Sequence, residues 1–205
     1  MRIIPQRVTL KPLDMSFPNS PETITLFDKL YAALTFNKDH DLFEYLPRGP
    51  FASAQELKDL YISVYNTSDW LPYIVYIKDE ENQDTIVPIG SFSYIKCSPS
   101  DKRIEIGLVW IGSEYHKRGY AVEVTYVMLC HGFENGKSEV QRIEWGAHHL
   151  NFASQNTALK AGFTHEATLR KHRYYKGMVR HSFMFGMVDD EWVEKKARLQ
   201  LFKFQ

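Results

Sequence analysis

The segment from Arg103 to Val124, RIEIGLVWIGSEYHKRGYAVEV, decides the fold of this chain. Its first part is rich in β-branched and aromatic side chains and predicts a strand, whereas Tyr120 to Phe133 carries apolar residues at helical spacing. A polar loop that ends in Gly119 separates the two. We therefore expect a strand, a loop and a helix in succession, with a glycine close to the helix start.

Such a loop is suited to bind an anion. The first backbone N–H groups of a helix have no partner within the helix and carry the positive end of its dipole. Gly119 would let a phosphate approach these groups closely, and Lys117 and Arg118 add positive charge. The loop is neither a Walker A loop nor a G-x-G-x-x-G dinucleotide turn. A phosphate site is one interpretation, and an ordinary polar loop before a helix is the other.

The rest of the chain predicts a mixed α/β fold with helices and strands in layers around one sheet. Ser53 and Glu56 have the spacing of a capping box at the start of a helix. Gly162 is placed to end a later helix. The expected strands are 7–13, two runs around a turn at 79–84, 103–111, 142–147 and a hairpin of 164–174 and 179–188; the expected helices are 24–35, 51–65, 120–133 and 151–161.

Composition limits the classes of function. The 205 residues are 44% apolar and 24% charged, with a formal net charge of zero, which indicates one globular domain without a basic field for nucleic acid. No apolar run approaches the length of about 18 residues that suggests a membrane span, so we expect a soluble cytoplasmic protein. Cys97 and Cys130 are expected to be buried thiols. His148 and His149 lack a third ligand at zinc-like spacing, so no metal is expected.

Several motifs together resemble one family. His116 to Ala121 is similar to the acyl-CoA pyrophosphate loop of the GNAT acetyltransferases, Gln/Arg-x-x-Gly-x-Gly/Ala, with His116 in place of the usual first residue. The segments LFEYLPRGPFASAQEL (42–57), LNFASQNTALKAGFTHEATLRKHRYYKG (150–177) and DDEW (189–192) resemble the RimJ/RimL-type branch. The resemblance covers about Arg7 to Trp192.

This resemblance implies a GNAT fold, in which a central, mostly antiparallel sheet of about seven strands is splayed in the middle and has helices on both faces. It implies a single domain over 1–205, with a core of about 7–192 and a C-terminal helical tail over 193–205. It also implies transfer of an acetyl group from acetyl-CoA to a primary amine, by direct attack in a ternary complex and without a metal.

The resemblance places the pantetheine arm of acetyl-CoA along the strand from Gly107 to Ile111. A backbone grip on the pyrophosphate tolerates His116 at the head of the loop, so the change affects only affinity. The residues expected to bind acetyl-CoA are Val109, Trp110, Ile111, His116, Lys117, Arg118, Gly119, Tyr120, Ala121, Asn151 and Ser154.

The acceptor amine must lose a proton. An alkylamine with a pKa near 10.4 costs about 4–5 kcal/mol to deprotonate at pH 7, so it needs a general base more than a protein N-terminus does. Glu105 is the first candidate because the family often has a carboxylate there; the alternative is a structural carboxylate of an alternating strand. Glu144 is the second candidate, and water the third.

The leaving thiolate also needs help. The resemblance assigns this role to Ser154, because Ala158 stands where many relatives have a tyrosine. Asn151 is also a plausible helix N-cap. Two departures affect the acceptor side: Arg173 replaces a carboxylate thought to be the base in one relative, and Arg180-His181 replaces a common Arg-Asp pair.

The acceptor remains open at this stage. A small amine-bearing molecule is favoured, and the N-terminus of a protein is the alternative. A non-catalytic acyl-CoA sensor is a rival from another class. The expected partners are acetyl-CoA and the amine acceptor, without nucleic acid or membrane, and the chain could act as a monomer or a homodimer.

Overall fold

The computed structural model describes residues 7–37, 42–65, 67–134 and 139–201. Every expected strand and helix is present, and most bounds differ by a few residues. The strands are β1 Val8–Pro12, β2 Leu71–Lys78, β3 Ile86–Ser98, β4 Arg103–Ile111, β5 Arg142–His148, β6 Thr164–Tyr175 and β7 Met178–Val188. The helices are α1 Pro21–Thr35, α2 Ala54–Tyr65, α3 Tyr120–Glu134, α4 Phe152–Lys160 and α5 Asp189–Leu201, with a short 3-10 turn at Ser113–Tyr115.

The described residues form one seven-stranded sheet in the order β1-β2-β3-β4-β5-β7-β6. All neighbouring strands are antiparallel except β4 and β5, which run parallel. The β4–β5 pairing extends only from Arg103 opposite Arg142 to Ile106 opposite Trp145. Beyond that point β4 and β5 both continue but no longer pair, so the sheet is splayed in the middle. The expected sheet is confirmed.

A bulge in β4 lies next to this opening. Ser93 pairs with Gly107 and Ser91 pairs with Trp110, so β4 has an extra residue in this interval. Leu108 adopts a φ of 48°, which few residues other than glycine adopt. A bulge bends the strand and increases its twist. The bend carries the end of β4 away from β5 and contributes to the splay.

Helices cover both faces of the sheet. Ile106, Ile143 and Trp145 face α3, α4 and α5 in one apolar cluster. Leu108 and Trp110 face α1 and α2 in the other, where the Trp110 indole N–H donates to the Tyr61 hydroxyl at 3.1 Å. Each fully buried large apolar side chain contributes about 1.5–3 kcal/mol. The two clusters hold β4 between them and fix the side chains that alternate along it.

The helix ends follow the expected capping residues. The Ser53 hydroxyl accepts from the Glu56 N–H at 3.1 Å, and the Glu56 carboxylate accepts from Ala52 N–H at 2.6 Å, one residue before the position a standard capping box uses. Asn151 caps α4, and Gly162 after its end adopts a φ of 89°. These caps set where the loops next to the site begin.

The C-terminal segment differs from the expected tail. Helix α5 begins at Asp189, before the expected start at 193, and Trp192 and Leu199 are buried in the core. The Trp192 indole N–H donates to the Glu134 carboxylate at 2.5 Å, which ties α5 to α3. The described part of this helix therefore packs as part of the domain. Among the described residues, none of the helices combines the length and the apolar character that a membrane span requires.

Candidate active site

The open edge of β4 is a place where an extended, amide-bearing chain can pair. From Gly107 to Ile111, β4 continues past its last contact with β5, so its β5-facing backbone groups have no strand partner there. An arm with peptide-like amides could form main-chain hydrogen bonds to this edge. Val109, Trp110 and Ile111 all lie on it, and Trp110 is buried. These residues therefore offer a free strand edge to an extended ligand.

The loop after β4 leads this edge directly to the N-terminus of α3. Lys117 and Gly119 adopt positive φ values of 62° and 80°, so the backbone curls just before Tyr120. Such curled backbones gather N–H groups into a concave anion site. Among the described residues, no acceptor contacts the backbone N–H groups of Gly119 to Val122. The loop thus presents free donors and a helix dipole to an anion, as a pyrophosphate requires.

The side chains of the loop divide into two roles. His116 Nε2 contacts the Ile111 carbonyl oxygen at 2.9 Å and so holds the loop against the end of β4. Arg118 pairs with Glu80 at 2.7 Å, and this carboxylate holds the pKa of Arg118 above its usual value. Lys117 has no carboxylate partner in the described ranges. Lys117 is therefore the loop cation that is available to a phosphate.

The start of α4 lies beside β5 and brings Ser154 to the middle of the sheet. Asn151 Oδ1 accepts from the Ser154 N–H at 3.0 Å, so Asn151 acts as the N-cap. The Trp145 indole N–H donates to Ser154 Oγ at 3.0 Å. Because this bond uses a lone pair of the oxygen, the hydroxyl proton stays available to another acceptor. Sequence reasoning found Ser154 but missed Trp145, whose apolar pattern indicates only core packing.

Glu105 lies where β4 and β5 separate, on the face opposite Ile104 and Ile106. Glu105 is only 6% exposed, and the Lys96 ammonium contacts its carboxylate. The carboxylate fits against Gly146 on β5 because Gly146 has no side chain: a Cβ there would lie 3.2 Å from Glu105 Oε1 and 3.9 Å from the Met184 methyl group. The carboxylate is thus buried at the point where β4 and β5 part. Nothing in the local sequence indicates Lys96, which lies on another strand.

Glu144 is less suited to accept a proton. It lies opposite Glu105 in the β4–β5 register, but both of its oxygens are engaged. Arg142 Nε donates to Oε1 at 2.8 Å and Arg103 donates to Oε2 at 3.2 Å. Donors thus occupy both oxygens of Glu144, whereas the described contact of Glu105 with Lys96 uses only Oε2. Of the two candidate carboxylates, the geometry favours Glu105.

Buried polar side chains continue from Glu105 along β5 and β7. His148 is buried at the end of β5, stacked on His149 at 4.5 Å and close to Tyr45 at 5.1 Å between ring centroids. Burial, together with the nearby His149 and Arg180, lowers the pKa of His148 to about 4. His148 Nδ1 accepts from the Leu150 N–H at 3.0 Å, so the neutral ring carries its proton on Nε2. His148 is therefore a buried, neutral member of this polar group.

The β6–β7 turn is held by two hydrogen bonds to a distant segment of the chain. The Tyr175 hydroxyl donates to the Tyr45 carbonyl at 2.9 Å, and the Lys176 ammonium donates to the Phe43 carbonyl at 2.7 Å. These bonds fasten the β6–β7 turn to the segment after α1. Arg180 lies beneath this junction, 8% exposed, with its guanidinium 5.8 Å from the Tyr175 ring centroid. The sequence identified Arg180-His181 as a departure but gave no sign that Arg180 is buried.

The remaining reactive groups carry no further site in the described ranges. Cys97 and Cys130 are unpaired and half-buried, and burial raises the pKa of both thiols. No group of three or more His, Cys, Asp or Glu side chains within the described part of the chain could hold a metal ion. Arg173 lies on the exposed face of β6, opposite Arg180 in the hairpin register.

Comparison with known proteins agrees with this geometry. No curated protein matches the sequence. Among solved structures, a GCN5-related N-acetyltransferase from Brucella melitensis is 26% identical with a TM-score of 0.80, covering 96% of this chain and 82% of that one.

Two further neighbours are more distant and show the fold alone. A spermidine N-acetyltransferase from Vibrio cholerae, in complex with CoA and spermine, is 16% identical with a TM-score of 0.65, covering 91% of this chain and 98% of that one. An acetyl transferase from Salmonella typhimurium that modifies the N-terminal serine of a 50S ribosomal subunit protein is 17% identical with a TM-score of 0.69, covering 89% and 95%.

The family is established by the sequence match itself. A family model described as the acetyltransferase (GNAT) domain matches residues 23–164, which is more than half of the 205 residues. The matched range includes the splayed strands, the loop before α3 and the start of α4. The chain belongs to the GNAT acetyltransferases.

Proposed function

We propose that this protein is an acetyl-CoA-dependent N-acetyltransferase that acetylates a primary amine by direct attack in a ternary complex. The observation that carries the proposal is the position of Glu105. Its buried carboxylate lies at the point where β4 and β5 part, between the open edge of β4 and the buried polar side chains of β5 and β7. A base at the junction of a donor site and an acceptor site is what such a transfer needs.

In this proposal, acetyl-CoA, the acetyl donor, binds to backbone and side-chain groups whose chemistry matches its parts. The β4 edge at Val109, Trp110 and Ile111 would pair with the pantetheine amides. The backbone from Lys117 to Ala121 would hold the pyrophosphate, with His116 fixing the loop and Lys117 adding charge. Bound there, acetyl-CoA supplies an activated thioester carbonyl. The grip is mainly a backbone one, so His116 at the head of the loop is compatible with it.

On the acceptor side, Glu105 takes the proton of the attacking amine, directly or through one water. The Lys96 ammonium contacts this carboxylate and holds it in place at the junction. As the new C–N bond forms and the C–S bond breaks, negative charge moves to the thiolate sulfur. The Ser154 hydroxyl donates to that charge, and the Trp145 N–H orients the hydroxyl.

A small molecule is the favoured acceptor. The two hydrogen bonds that fasten the β6–β7 turn to Tyr45 and Phe43 hold these segments together on the acceptor side. An acceptor side covered in this way suits a small ligand better than a protein chain that must enter from one end. A protein N-terminus is the second candidate, supported by the motifs that resemble the RimJ/RimL-type branch, to which we assign the chain. We propose one catalytic domain in the cytoplasm, acting as a monomer or homodimer.

A thiol-release assay with acetyl-CoA tests the proposal. The panel comprises simple alkylamines, polyamines, amino acids and peptides with free N-termini. Turnover with at least one amine, abolished by omission of the amine, is the expected result. Tight binding of acetyl-CoA without acetylation of any amine would contradict the proposal and favour a non-catalytic acyl-CoA sensor.

A further inference from the structure

Arg180 is a buried cation without a counterion. Its side chain is 8% exposed, and within the described residues no carboxylate lies within 4 Å of its guanidinium. Its Nε atom has no hydrogen-bond partner in that part of the chain. Burial accordingly lowers the pKa of this guanidinium from its usual value. Its described polar partner is Tyr175, which is uncharged, so the buried charge itself is left without a carboxylate, and a buried charge without one is costly.

A second orphan group lies on the same face. Ser182 is two residues along β7 from Arg180, so the two side chains share one face of the strand. Ser182 is 1% exposed, and its hydroxyl has no partner among the described residues. Buried polar groups without partners are rare, and each requires an explanation. The Arg180 guanidinium and the Ser182 hydroxyl lie on the same face of the strand, and one negatively charged acceptor could bind both of them.

Most of the described groups around Arg180 and Ser182 are cationic or neutral. Arg173 lies opposite Arg180 on β6, and Tyr175 offers only its ring and hydroxyl. His148 lies opposite Ser182 and is neutral. Two carboxylates act in the region: Glu105, which is already paired with Lys96, acts on Arg180, and Glu44 acts on His148. This field favours an anion and opposes a polyamine, whose extra ammonium groups would face like charge.

The same face leads to the proposed base. Ser182 is followed two residues later by Met184, whose methyl group lies near Gly146 beside Glu105. Two residues of a strand span about 7 Å. An acceptor with its anionic group at Arg180 and Ser182 could therefore extend its amine toward Glu105 if amine and anion are only a few bonds apart. α-Amino acids and short ω-amino acids meet this requirement.

We propose that Arg180 and Ser182 form the anion subsite of the acceptor pocket, and that the acceptor is a small amino carboxylate. This inference rests on the proposed function, since it names the substrate class of the same site. Arg180 binds the carboxylate through its planar fork of N–H donors, and Ser182 donates its hydroxyl proton. The amine at the other end is then delivered to Glu105.

Matched acceptors test the inference. The pairs are L-leucine with L-leucinamide and 4-aminobutyrate with butylamine, each assayed by thiol release with acetyl-CoA. The wild type should prefer the carboxylate member by at least about 30-fold in kcat/KM. For the leucine pair, the ionisation of the acceptor opposes this preference. The carboxylate of L-leucine raises the pKa of its amine above that of L-leucinamide, so less of the L-leucine amine is in the neutral, reactive form at the same pH. Equal use of both members by the wild type would overturn the proposal.

Variants then test whether the preference for carboxylate-bearing acceptors depends on Arg180. Arg180→Gln should remove the preference, while Arg180→Lys, which keeps the charge but loses the fork, should retain part of it. Arg173→Gln is the matched control, since it removes an exposed arginine opposite Arg180 and should keep the preference. If Arg173→Gln and Arg180→Gln reduce it equally, the surface field rather than a built subsite is responsible and the proposal is wrong. Thermal melting of Arg180→Gln should be unchanged or higher, because an unpaired buried charge is removed.

Binding without turnover separates this inference from the proposed function. Calorimetry with 4-aminobutyrate in the absence of acetyl-CoA should show affinity that Arg180→Gln lowers by at least about 30-fold. If no amine is acetylated but this loss is seen, the enzyme proposal fails and the anion subsite stands. Unchanged affinity in Arg180→Gln overturns the subsite. A preference for peptides with an acidic second residue over free amino carboxylates, lost in the same variant, overturns the small-molecule assignment.

Discussion

The indole N–H of Trp145 on β5 donates to the hydroxyl oxygen of Ser154 on α4 at 3.0 Å. Trp145 is buried in the core, where its ring packs near Phe92 and Phe163. The bond therefore ties the hydroxyl to the rigid centre of the sheet. A hydroxyl held in this way loses little rotational freedom when it donates to a developing charge, which is the condition for preorganised catalysis.

Ser154→Ala should lower kcat by roughly 10-fold or more, with a smaller effect on KM, because the donor acts mainly in the transition state. Steady-state kinetics on the best acceptor measures this. Asn151→Ala is the control: loss of the N-cap bond should lower the free energy of unfolding by about 1 kcal/mol with little change in kcat. Unchanged turnover in Ser154→Ala would show that the serine has no part in the reaction.

Trp145→Phe tests whether the indole N–H orients Ser154. The variant keeps an aromatic ring but removes the donor, so kcat should fall by less than in Ser154→Ala. In the double variant the two effects should not add, since both act through the same hydroxyl. Stability should fall by about 0.5–3 kcal/mol because the core ring is smaller. Additive losses in kcat would show that Trp145 acts independently of Ser154.

Glu105→Gln should lower kcat at neutral pH by about 10²–10⁴ if Glu105 is the base, with little change in acetyl-CoA affinity. The loss should shrink at high pH, where an alkylamine is already neutral, and a pH profile of kcat measures this. Glu144→Gln is the matched control, since Glu144 faces Glu105 in register but is held by two arginines. Full activity of Glu105→Gln at neutral pH would assign Glu105 a structural role.

Gly119→Asp should weaken acetyl-CoA binding by at least about 1–3 kcal/mol, because a side chain and a negative charge enter the backbone anion site. Calorimetry measures the affinity. Gly177→Asp is a close control: Gly177 has a φ of 74°, similar to the 80° of Gly119, but lies in the β6–β7 turn with no atom within 4 Å of an added Cβ. Equal affinities in both variants would contradict the loop assignment.

His148 should make the protein less stable in acid. Its folded-state pKa of about 4 lies below the usual 6.5, so the unfolded chain binds the extra proton first as the pH falls. The contribution of His148 to stability is present above pH 6.5 and is lost as the pH falls toward 4, by up to about 1.4 kcal/mol per pH unit. Urea unfolding of the wild type and His148→Gln between pH 7 and 4.5 measures the difference.

The control for His148 is His165→Gln, at an exposed histidine on β6. Wild type and His165→Gln should lose stability with the same slope, and His148→Gln with a shallower one. Identical slopes in all three proteins would mean that His148 titrates alike in the folded and unfolded chain.

Much of the fold could be predicted from the sequence because its signals are local. Alternating residues in β4, helical spacing in α3, Asn151 before α4 and Gly162 after it each depend on neighbours a few positions away. The loop from His116 to Ala121 is also a continuous segment, so its place between a strand and a helix followed from the same patterns. The bounds of α5 were less accurate, since Asp189 and Trp192 were assigned to the core segment rather than to a helix that packs on α3.

The site depended on tertiary structure because its decisive contacts join residues from different elements. Lys96 on β3 contacts Glu105 on the neighbouring strand β4, and Trp145 on β5 donates a hydrogen bond to Ser154 on α4. The preference for Glu105 over Glu144 arises from Arg103 and Arg142, which engage only the latter. Arg180, which is buried, lies near the ring of Tyr175 from the same hairpin, and the Tyr175 hydroxyl in turn donates to the Tyr45 carbonyl.

The sequence by itself therefore determined the order of elements and the family and predicted the anion loop, while the tertiary structure decided which charges around Glu105, Ser154 and Arg180 are buried and which are paired. The physical reason is the range of the interactions. Hydrophobic periodicity and helix capping depend on residues a few positions apart, so they can be recognised in the sequence. Desolvation and pairing of a charge depend on every group that packs around it, and only the folded sheet brings those groups together.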